Sequence, residues 1–316
     1  MAAQNRIDVH QHVVPPFWAK ALQQNGGDPS GWDCPQWSPE SALNFMDSQQ
    51  ISTGILSLTA PGITGWKPEE RCGMARHVND YMANLVAQKS NRFGNFATLP
   101  LPNIEDSLEE IERAFDVLKA DGIILFSNYE GLYLGDEVFE PIWQELDRRS
   151  AVVFIHPGKP ELALIKGIPG PIVDYPFDTT RSAVHIVFNG VMNRYKSMKV
   201  ILSHAGGFLP YASHRFAEAG ALVQHNKVTA DEMLKAFQSF YFDTALSASP
   251  AALPALKAFC GTQNILYGSD YPYAPASISA SFTKKLDEYV DFSVSDHSAI
   301  NRGNALNLFP RLAKFF

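Results

Sequence analysis

The chain has 316 residues, a formal net charge of −7 and 46% hydrophobic residues, a composition typical of a globular protein that folds in water. The negative charge argues against nucleic acid as a partner, because nucleic-acid-binding surfaces are basic, and no apolar run approaches the roughly 20 residues that span a bilayer. Cys34, Cys72 and Cys260 are odd in number and form no CxxC pair, so neither a disulfide framework nor a cysteine zinc site is predicted. The short polar N-terminus does not look like a signal peptide, and we expect a cytoplasmic protein.

Eight short apolar runs rich in β-forming residues occur along the chain, and most are bounded by Gly, Pro, Asn or Ser, as strands are. In chain order they are 7–14, 53–60, 93–101, 121–127, 151–157, 198–206, 240–245 and 264–272. Amphipathic patterns with the helical period separate them. The predicted helices are 39–49, 69–89, 104–120, 139–149, 179–195, 209–224, 250–259, 277–289 and 296–309.

Continuous apolar strands that alternate with helices predict a parallel sheet buried on both faces. Eight such units favour a single (β/α)8 barrel of the TIM type over residues 1–316. The alternative, an open doubly wound sheet, would place a Gly-rich phosphate loop after the first strand, whereas that strand ends in HQHVVPP. Segments 14–37 and 157–178 are predicted to be long loops. Since barrel enzymes carry their chemistry in loops of this kind, both are candidates for an active-site lid.

The first predicted strand carries two histidines, in the sequence Asp8-Val9-His10-Gln11-His12. Residues two apart in a strand point to the same face, so His10 and His12 should both project into the barrel mouth. Two imidazoles there can hold one metal ion, and nitrogen ligands suit zinc and other borderline divalent metals. Alone the pattern is weak, because histidine pairs on strands also occur as packing residues.

Three further polar residues lie at predicted strand ends. His156 ends the fifth strand, His204 the sixth and Asp270 the eighth, each just after an apolar run and just before a turn. Barrel enzymes present their catalytic groups at this position. Taken singly, each residue could be a hydrogen-bonded core histidine or a turn-capping aspartate. Together with the first strand, they predict one catalytic site.

The other five of the nine histidines fall within or beside helical patterns. His77, His225 and His297 are interpreted as solvated or packing residues. His185 and His214 are left open, because their helices follow strands five and six.

Four motifs resemble the branch of the amidohydrolase superfamily named for aminocarboxymuconate semialdehyde decarboxylase. These are DxHxH at 8–12, HPG at 156–158, SHxGG at 203–207 and GSDYP at 268–272. The resemblance extends from residue 7 to the NALNLF segment at 304–309, and the motifs are specific in combination. It implies the (β/α)8 fold and a metal-dependent enzyme.

The resemblance also implies residue roles. His10, His12, His156 and Asp270 would be the ligands of one divalent metal, zinc in the first place and manganese as the alternative. His204 would lie close to the metal without being a primary ligand, and would act on the metal-bound water or on the substrate. Several amidohydrolases hold a second metal through a carboxylated lysine after strand four, but the segment 122–127 has no lysine, so a single metal is expected.

A homodimer is expected from the resemblance alone. Arg215, eleven residues after His204, looks like an arginine that in the decarboxylase reaches the neighbouring subunit's site and binds a substrate carboxylate. An ordinary helix-surface arginine is the alternative interpretation.

The substrate prediction follows from a departure from the founding decarboxylase, which has an arginine in its early loops for a second carboxylate. Between Arg6 and Arg71 this chain has none, so an aromatic monocarboxylate is favoured over a dicarboxylate muconate. Its ring would lie between apolar walls such as Phe17, Trp18 and Phe188.

The predicted reaction is the non-oxidative decarboxylation of a salicylate-like hydroxybenzoate, with 6-methylsalicylate, from polyketide metabolism, as the specific candidate. Protonation of the ring carbon must precede loss of CO2, and Asp270 and His204 are both candidates for the acid. Asp243, at the end of strand seven, is expected to orient a neighbouring group.

Two alternatives stay open. The same ligands would serve a hydrolase that cleaves a lactone or amide through metal hydroxide, with His204 as base. A non-catalytic metal-binding protein is disfavoured, because structural sites normally close all four positions with His or Cys.

Overall fold

The computed structural model describes residues 5–223 and 228–316. Its main sheet has eight parallel strands, and each overlaps one of the predicted strands: β1 (Arg6–Val13), β2 (Ile51–Leu58), β3 (Phe93–Ala97), β4 (Gly122–Phe126), β5 (Val152–His156), β6 (Lys199–Leu202), β7 (Tyr241–Asp243) and β8 (Ile265–Leu266). A small hairpin pairs Asn128–Tyr129 with Leu132–Tyr133. The prediction for His225 lies outside the described residues.

The strands are neighbours in chain order, which is the arrangement of a (β/α)8 barrel. Between the last strand and the first, closure comes from the segment that follows β8. The Asp270 N–H donates to the His10 carbonyl at 2.8 Å, and the His12 N–H donates to the Tyr271 carbonyl at 2.7 Å. The predicted barrel is therefore confirmed, and its closure places the GSDYP segment directly beside the two histidines of β1.

Helices cover the outside of the barrel, and the buried apolar side chains form one contiguous core. The helices are α1 (Pro16–Gln24), α2 (Pro39–Ser48), α3 (Pro68–Gln88), α4 (Ile104–Asp116), α5 (Glu140–Arg148), α6 (Gly170–Phe188), α7 (Val191–Arg194), α8 (Leu209–Gly220), α9 (Ala230–Gln238), α10 (Ala252–Cys260), α11 (Ala276–Asp287), α12 (Val294–Ser298) and α13 (Asn304–Leu308).

The helix predicted over 179–195 begins much earlier than expected. It starts at Gly170, directly after Pro169, and contains Pro176. The five prolines of segment 157–178 indicated a loop, but a proline is favourable in the first turn of a helix. The irregular part of this segment is therefore only 157–169, and the first turns of α6 become available to line a site.

Two further helices were missed. Helix α1 occupies part of the predicted loop 14–37, so that only 14–15 and 25–37 are irregular. Helix α9 has a capping box in which Thr229 and Glu232 satisfy each other's backbone N–H groups, a sequence signal that could have found it. At the C-terminus, the predicted helix 296–309 is interrupted by a π-helical turn over Ala299–Gly303.

The three cysteines are free thiols. Over residues 5–223 and 228–316, none of the helices combines the length and the apolar character needed to cross a membrane.

Candidate metal centre and substrate cavity

The carboxyl ends of the strands bring together the five residues that the sequence singled out. The His10 and His12 Nε2 atoms lie 3.1 Å apart, and Asp270 Oδ1 lies 3.2 Å from the first and 3.1 Å from the second. The His156 ring centroid lies 4.7 Å from that of His12. One potential ligand atom from each of His10, His156, His204 and Asp270 falls within 4.8 Å of the others. Nitrogen and carboxylate donors thus converge on one point, an arrangement that could hold a metal ion.

Every histidine of the cluster has its Nδ1 atom engaged away from that point. His10 Nδ1 lies 2.7 Å from Asp243 Oδ2, and His12 Nδ1 lies 3.2 Å from Ser57 Oγ. His156 and His204 face the backbone carbonyls of Pro157 and Ala245, at 2.9 and 3.1 Å respectively. A carboxylate or carbonyl partner requires the proton on Nδ1 and leaves the Nε2 lone pair for a metal. The donor set therefore fits a divalent cation such as zinc or manganese.

The electrostatics of the cluster also favour a cation. Burial lowers the pKa of His10, but the carboxylates of Asp243 and Asp270 more than offset it, so that the pKa is raised. Burial lowers the pKa of His12 and that of His156, and the neighbouring imidazoles lower both pKa values further. The pKa of Asp270 stays well below its usual range despite burial, because of charge on His10 and hydrogen bonds from both imidazoles. An ionised carboxylate among mostly neutral imidazoles is a ready cation site.

Two buried aspartates hold the cluster in place. Asp243, which the sequence indicated as an orienting residue, also accepts the backbone N–H of His204 at 2.9 Å through Oδ1. The sequence gives Asp8 no role beyond its place in the DxHxH motif. It accepts the His10 N–H at 3.1 Å and the Ser269 N–H and hydroxyl at 3.0 and 2.5 Å. Asp8 thus joins β1 to the loop that carries Asp270.

The loops that present His204 and Asp270 adopt an uncommon backbone conformation. His204, Ala205 and Asp270 have φ values of 52°, 55° and 61°, in the left-handed region that side chains other than glycine rarely adopt. Gly207 follows at φ 64°, and a Cβ there would lie 2.0 Å from the Pro176 carbonyl oxygen. The second glycine of SHxGG is therefore required by close packing against α6. Such strain occurs where the surrounding structure dictates it, often at functional sites.

A cavity of about 500 Å³ opens above the cluster, and its walls are mainly apolar. His156, His204 and Asp270 form its floor. The remaining lining residues are Trp32, Thr59, Pro171, Ile172, Tyr175, Pro176, Gly207, Leu246, Ser247, Tyr273, Ile278 and Phe282. None of these described lining residues is a lysine or an arginine. Burial raises the pKa of both Tyr175 and Tyr273, so both phenols are neutral.

Both segments that the sequence marked as lid candidates reach this cavity. Trp32 comes from the first, whereas Pro171, Ile172 and Tyr175 come from the second as part of α6. The two segments are joined by a hydrogen bond from the Gly170 N–H to the Ser30 carbonyl, at 2.9 Å. Together they form one side of the cavity.

Three residues expected as ring walls lie elsewhere. Phe17 stacks on His77 of α3 with ring centroids 3.6 Å apart. Trp18 is fully buried and donates its indole N–H to the Gly62 carbonyl at 2.8 Å. Phe188, at the end of α6, packs closely against Gly220 of α8. None of the three is among the residues that line the described cavity, because they lie on helices whose apolar faces pack into the core; Trp32 is the tryptophan that lines it.

The remaining predictions concern single polar residues. Arg215 lies on the exposed side of α8, outside the cavity lining of this chain. His77 is exposed and stacks on Phe17, and His297 is half-buried with Nε2 3.1 Å from the Tyr289 carbonyl. His185 accepts the Gly135 N–H at Nδ1, and His214 is exposed. His185 and His214, whose roles the sequence did not decide, do not belong to the histidine–aspartate cluster.

Comparison with known proteins agrees with this geometry. A model of the amidohydrolase family matches residues 7–311. The chain is 42% identical to decarboxylase macB of Penicillium terrestre over 97% of this chain and 95% of that protein. It is 41% identical to 6-methylsalicylic acid decarboxylase of Penicillium expansum over 97% of both chains. A solved structure of an amidohydrolase II superposes with a TM-score of 0.91 and 32% identity, covering 96% of this chain and 99% of the other. The chain therefore belongs to the amidohydrolase family.

Proposed function

We propose that this protein is a carboxy-lyase that removes CO2, without oxidation, from a small hydroxybenzoate-type acid, and that its substrate is 6-methylsalicylate. One observation carries the proposal: a histidine–aspartate metal cluster forms the floor of an apolar cavity whose described lining contains no lysine or arginine. The decarboxylases of Penicillium at 41% and 42% identity support the reaction class.

We assign one divalent metal to His10, His12, His156 and Asp270, with zinc as the first candidate and manganese as the second. When bound, the metal would fix the substrate carboxylate and its ortho hydroxyl and stabilise the negative charge that develops during reaction. Two buried aspartates orient the proposed metal ligands. Asp243 holds His10, and Asp8 holds the strand and loop from which His10 and Asp270 project.

The cavity favours one negative charge on the substrate, placed at its floor. A second carboxylate would have to lie against apolar side chains such as Phe282, where no lysine or arginine of the described lining could pair with it, and such contact is unfavourable. A ring methyl group suits the same walls. Trp32 and Tyr175 offer flat surfaces on the side formed by segments 25–37 and α6.

Decarboxylation requires a proton at the ring carbon that bears the carboxylate, because CO2 leaves readily only once that carbon is protonated. His204 and Asp270 both line the cavity. Asp270 Oδ1 faces two imidazoles, whereas half-buried His204 contacts the Ala245 carbonyl through Nδ1, so that in its imidazolium form it would carry a second proton, on Nε2, to deliver to the ring carbon. We assign the proton delivery to His204 and the metal to Asp270.

A substrate panel tests the proposed function. CO2 release should be observed with 6-methylsalicylate and should yield 3-methylphenol. The value of kcat/KM should exceed that for salicylate by about 10-fold or more, the usual contribution of one methyl group in a fitted apolar pocket. Hydroxylated benzenedicarboxylates should not react. Turnover of an aryl lactone or an amide, with no CO2 from any acid, would instead identify a hydrolase.

We also propose that the protein is a homodimer and that it is located in the cytoplasm. Arg215 is exposed on α8, and the same helix carries Tyr211, 90% exposed, next to exposed Phe208. Exposed aromatic and arginine side chains are enriched at protein interfaces. Light scattering after size-exclusion chromatography should give twice the chain mass of 35.0 kDa, and Tyr211→Glu should shift it toward the monomer. A monomeric wild-type protein would refute this assembly.

A further inference from the structure

One buried carboxylate near the cluster has no part in the mechanism above. Asp178 of α6 is fully buried. Its Oδ2 accepts a short hydrogen bond from the Ser127 hydroxyl and one from the Asn128 side-chain amide at 2.7 Å, and its Oδ1 accepts the Tyr133 hydroxyl at 2.5 Å. Burial raises the pKa of Asp178, and these three hydrogen bonds counteract the rise. The carboxylate thus fastens the end of β4 and the following hairpin to α6.

Ser127 leads from this carboxylate to a metal ligand. While its hydroxyl donates to Asp178, its oxygen accepts the backbone N–H of Gly158 at 2.8 Å. That N–H belongs to the same peptide group as the Pro157 carbonyl, which lies 2.9 Å from His156 Nδ1. One rigid peptide plane therefore connects Ser127 to His156.

The three hydrogen bonds that link His156 to Asp178 all run in one direction, with each donor on the side of His156 and each acceptor on the side of Asp178. The His156 Nδ1–H donates to Pro157, the Gly158 N–H to Ser127 and the Ser127 O–H to Asp178. Hydrogen bonds in a chain polarise one another, so each strengthens its neighbours. An anion at the far end thereby favours the proton on Nδ1 and electron density on Nε2.

We propose that Asp178 is a positioning residue for His156 and acts on it through Ser127 and the Pro157–Gly158 peptide. The inference rests on the proposed metal site. It gives His156 the support that Asp243 supplies directly to His10 at 2.7 Å. Because Asp178 also lies on the helix that brings Tyr175 and Pro176 to the cavity, one side chain would align a metal ligand with a substrate wall.

Two substitutions separate this role from simple bracing. Ser127→Ala and Tyr133→Phe each remove one hydroxyl that donates to Asp178, but only Ser127 lies on the path to His156. Zn²⁺ affinity of the metal-free protein is measured by competition with a chromophoric chelator. We expect Ser127→Ala and Asp178→Asn to weaken Zn²⁺ binding about 10-fold, the lower end of the effects seen for groups that support metal ligands. Tyr133→Phe should bind Zn²⁺ as the wild type does.

The visible absorption spectrum of the Co²⁺-loaded protein gives a second readout. It should change in Ser127→Ala and stay unchanged in Tyr133→Phe. Equal Zn²⁺ affinities in these two variants, whether both normal or both weakened, would overturn the proposal and leave Asp178 as a structural brace. If Asp178→Asn fails to fold, the comparison of Ser127→Ala with Tyr133→Phe still distinguishes positioning of His156 from structural bracing. Neither readout requires turnover, so a chain that binds Zn²⁺ as described but releases no CO2 would refute the proposed function alone.

Discussion

Replacement of His10 by alanine is expected to abolish both metal retention and CO2 release. His10 is fully buried, and its Nε2 faces His12 and Asp270 while its Nδ1 faces Asp243. The substitution removes one ligand of four and leaves Asp243 Oδ2 buried without its imidazole partner, which is costly. Metal content should fall from about one ion per chain to near zero, and activity with 6-methylsalicylate should fall below detection.

His77→Ala is the matched control for that experiment. It also removes a histidine ring, but His77 stacks on Phe17 between α1 and α3, away from the cluster. Its metal content and activity should equal those of the wild type, and the unfolding temperatures of both metal-free variants should be recorded. A His10→Ala protein that remains folded and keeps a full metal ion would remove His10 from the ligand set.

Replacement of His204 by alanine is expected to separate catalysis from metal binding. Since four ligands remain, the variant should keep about one metal per chain. It loses the imidazole assigned to proton delivery at the cavity floor, and kcat should fall about 10²- to 10⁴-fold, the usual contribution of a general acid. KM should change little, because the metal still binds the carboxylate.

His214→Ala controls for the loss of a histidine from the same region, since that residue is exposed on α8. Asp270→Asn provides the contrast, because it should lose metal and activity together. If His204→Ala loses its metal, His204 is itself a ligand, a role that its distances also permit. If it keeps both metal and kcat, proton delivery belongs to Asp270.

The barrel could be predicted because each of its strands is marked by a local pattern in the sequence. Each strand is a short apolar run between turn residues. All eight were found, although several were predicted too long at the carboxyl end, as in 264–272 against the observed Ile265–Leu266. The cluster was predictable for a related reason: in parallel strands the carboxyl ends share one face, so that His156, His204 and Asp270 had to lie near His10 and His12.

The cavity walls were harder to predict, because the direction of a side chain on a helix depends on tertiary packing. Trp18 and Phe17 were expected to be apolar walls for the substrate ring, yet α1 turns Trp18 into the core and Phe17 onto α3. The five prolines of segment 157–178 indicate a loop, and this pattern does not reveal that α6 begins at Gly170 and brings Ile172 and Tyr175 to the cavity.

Polar networks between distant segments could not be found from sequence. Asp8 contacts Ser269, 261 residues away, and Asp178 contacts Ser127 across 51 residues. No periodicity links such pairs, because their proximity is a product of the folded barrel.

The most direct test of the account is CO2 release from 6-methylsalicylate, measured while the metal content of one preparation is raised from zero. Chelated protein should be folded and inactive. Stepwise addition of Zn²⁺, and in a parallel series Mn²⁺, should restore activity in proportion to bound metal, with a plateau at one ion per chain. Full activity in the metal-free protein, or a plateau without CO2 release from any hydroxybenzoate, would contradict a metal-dependent decarboxylase.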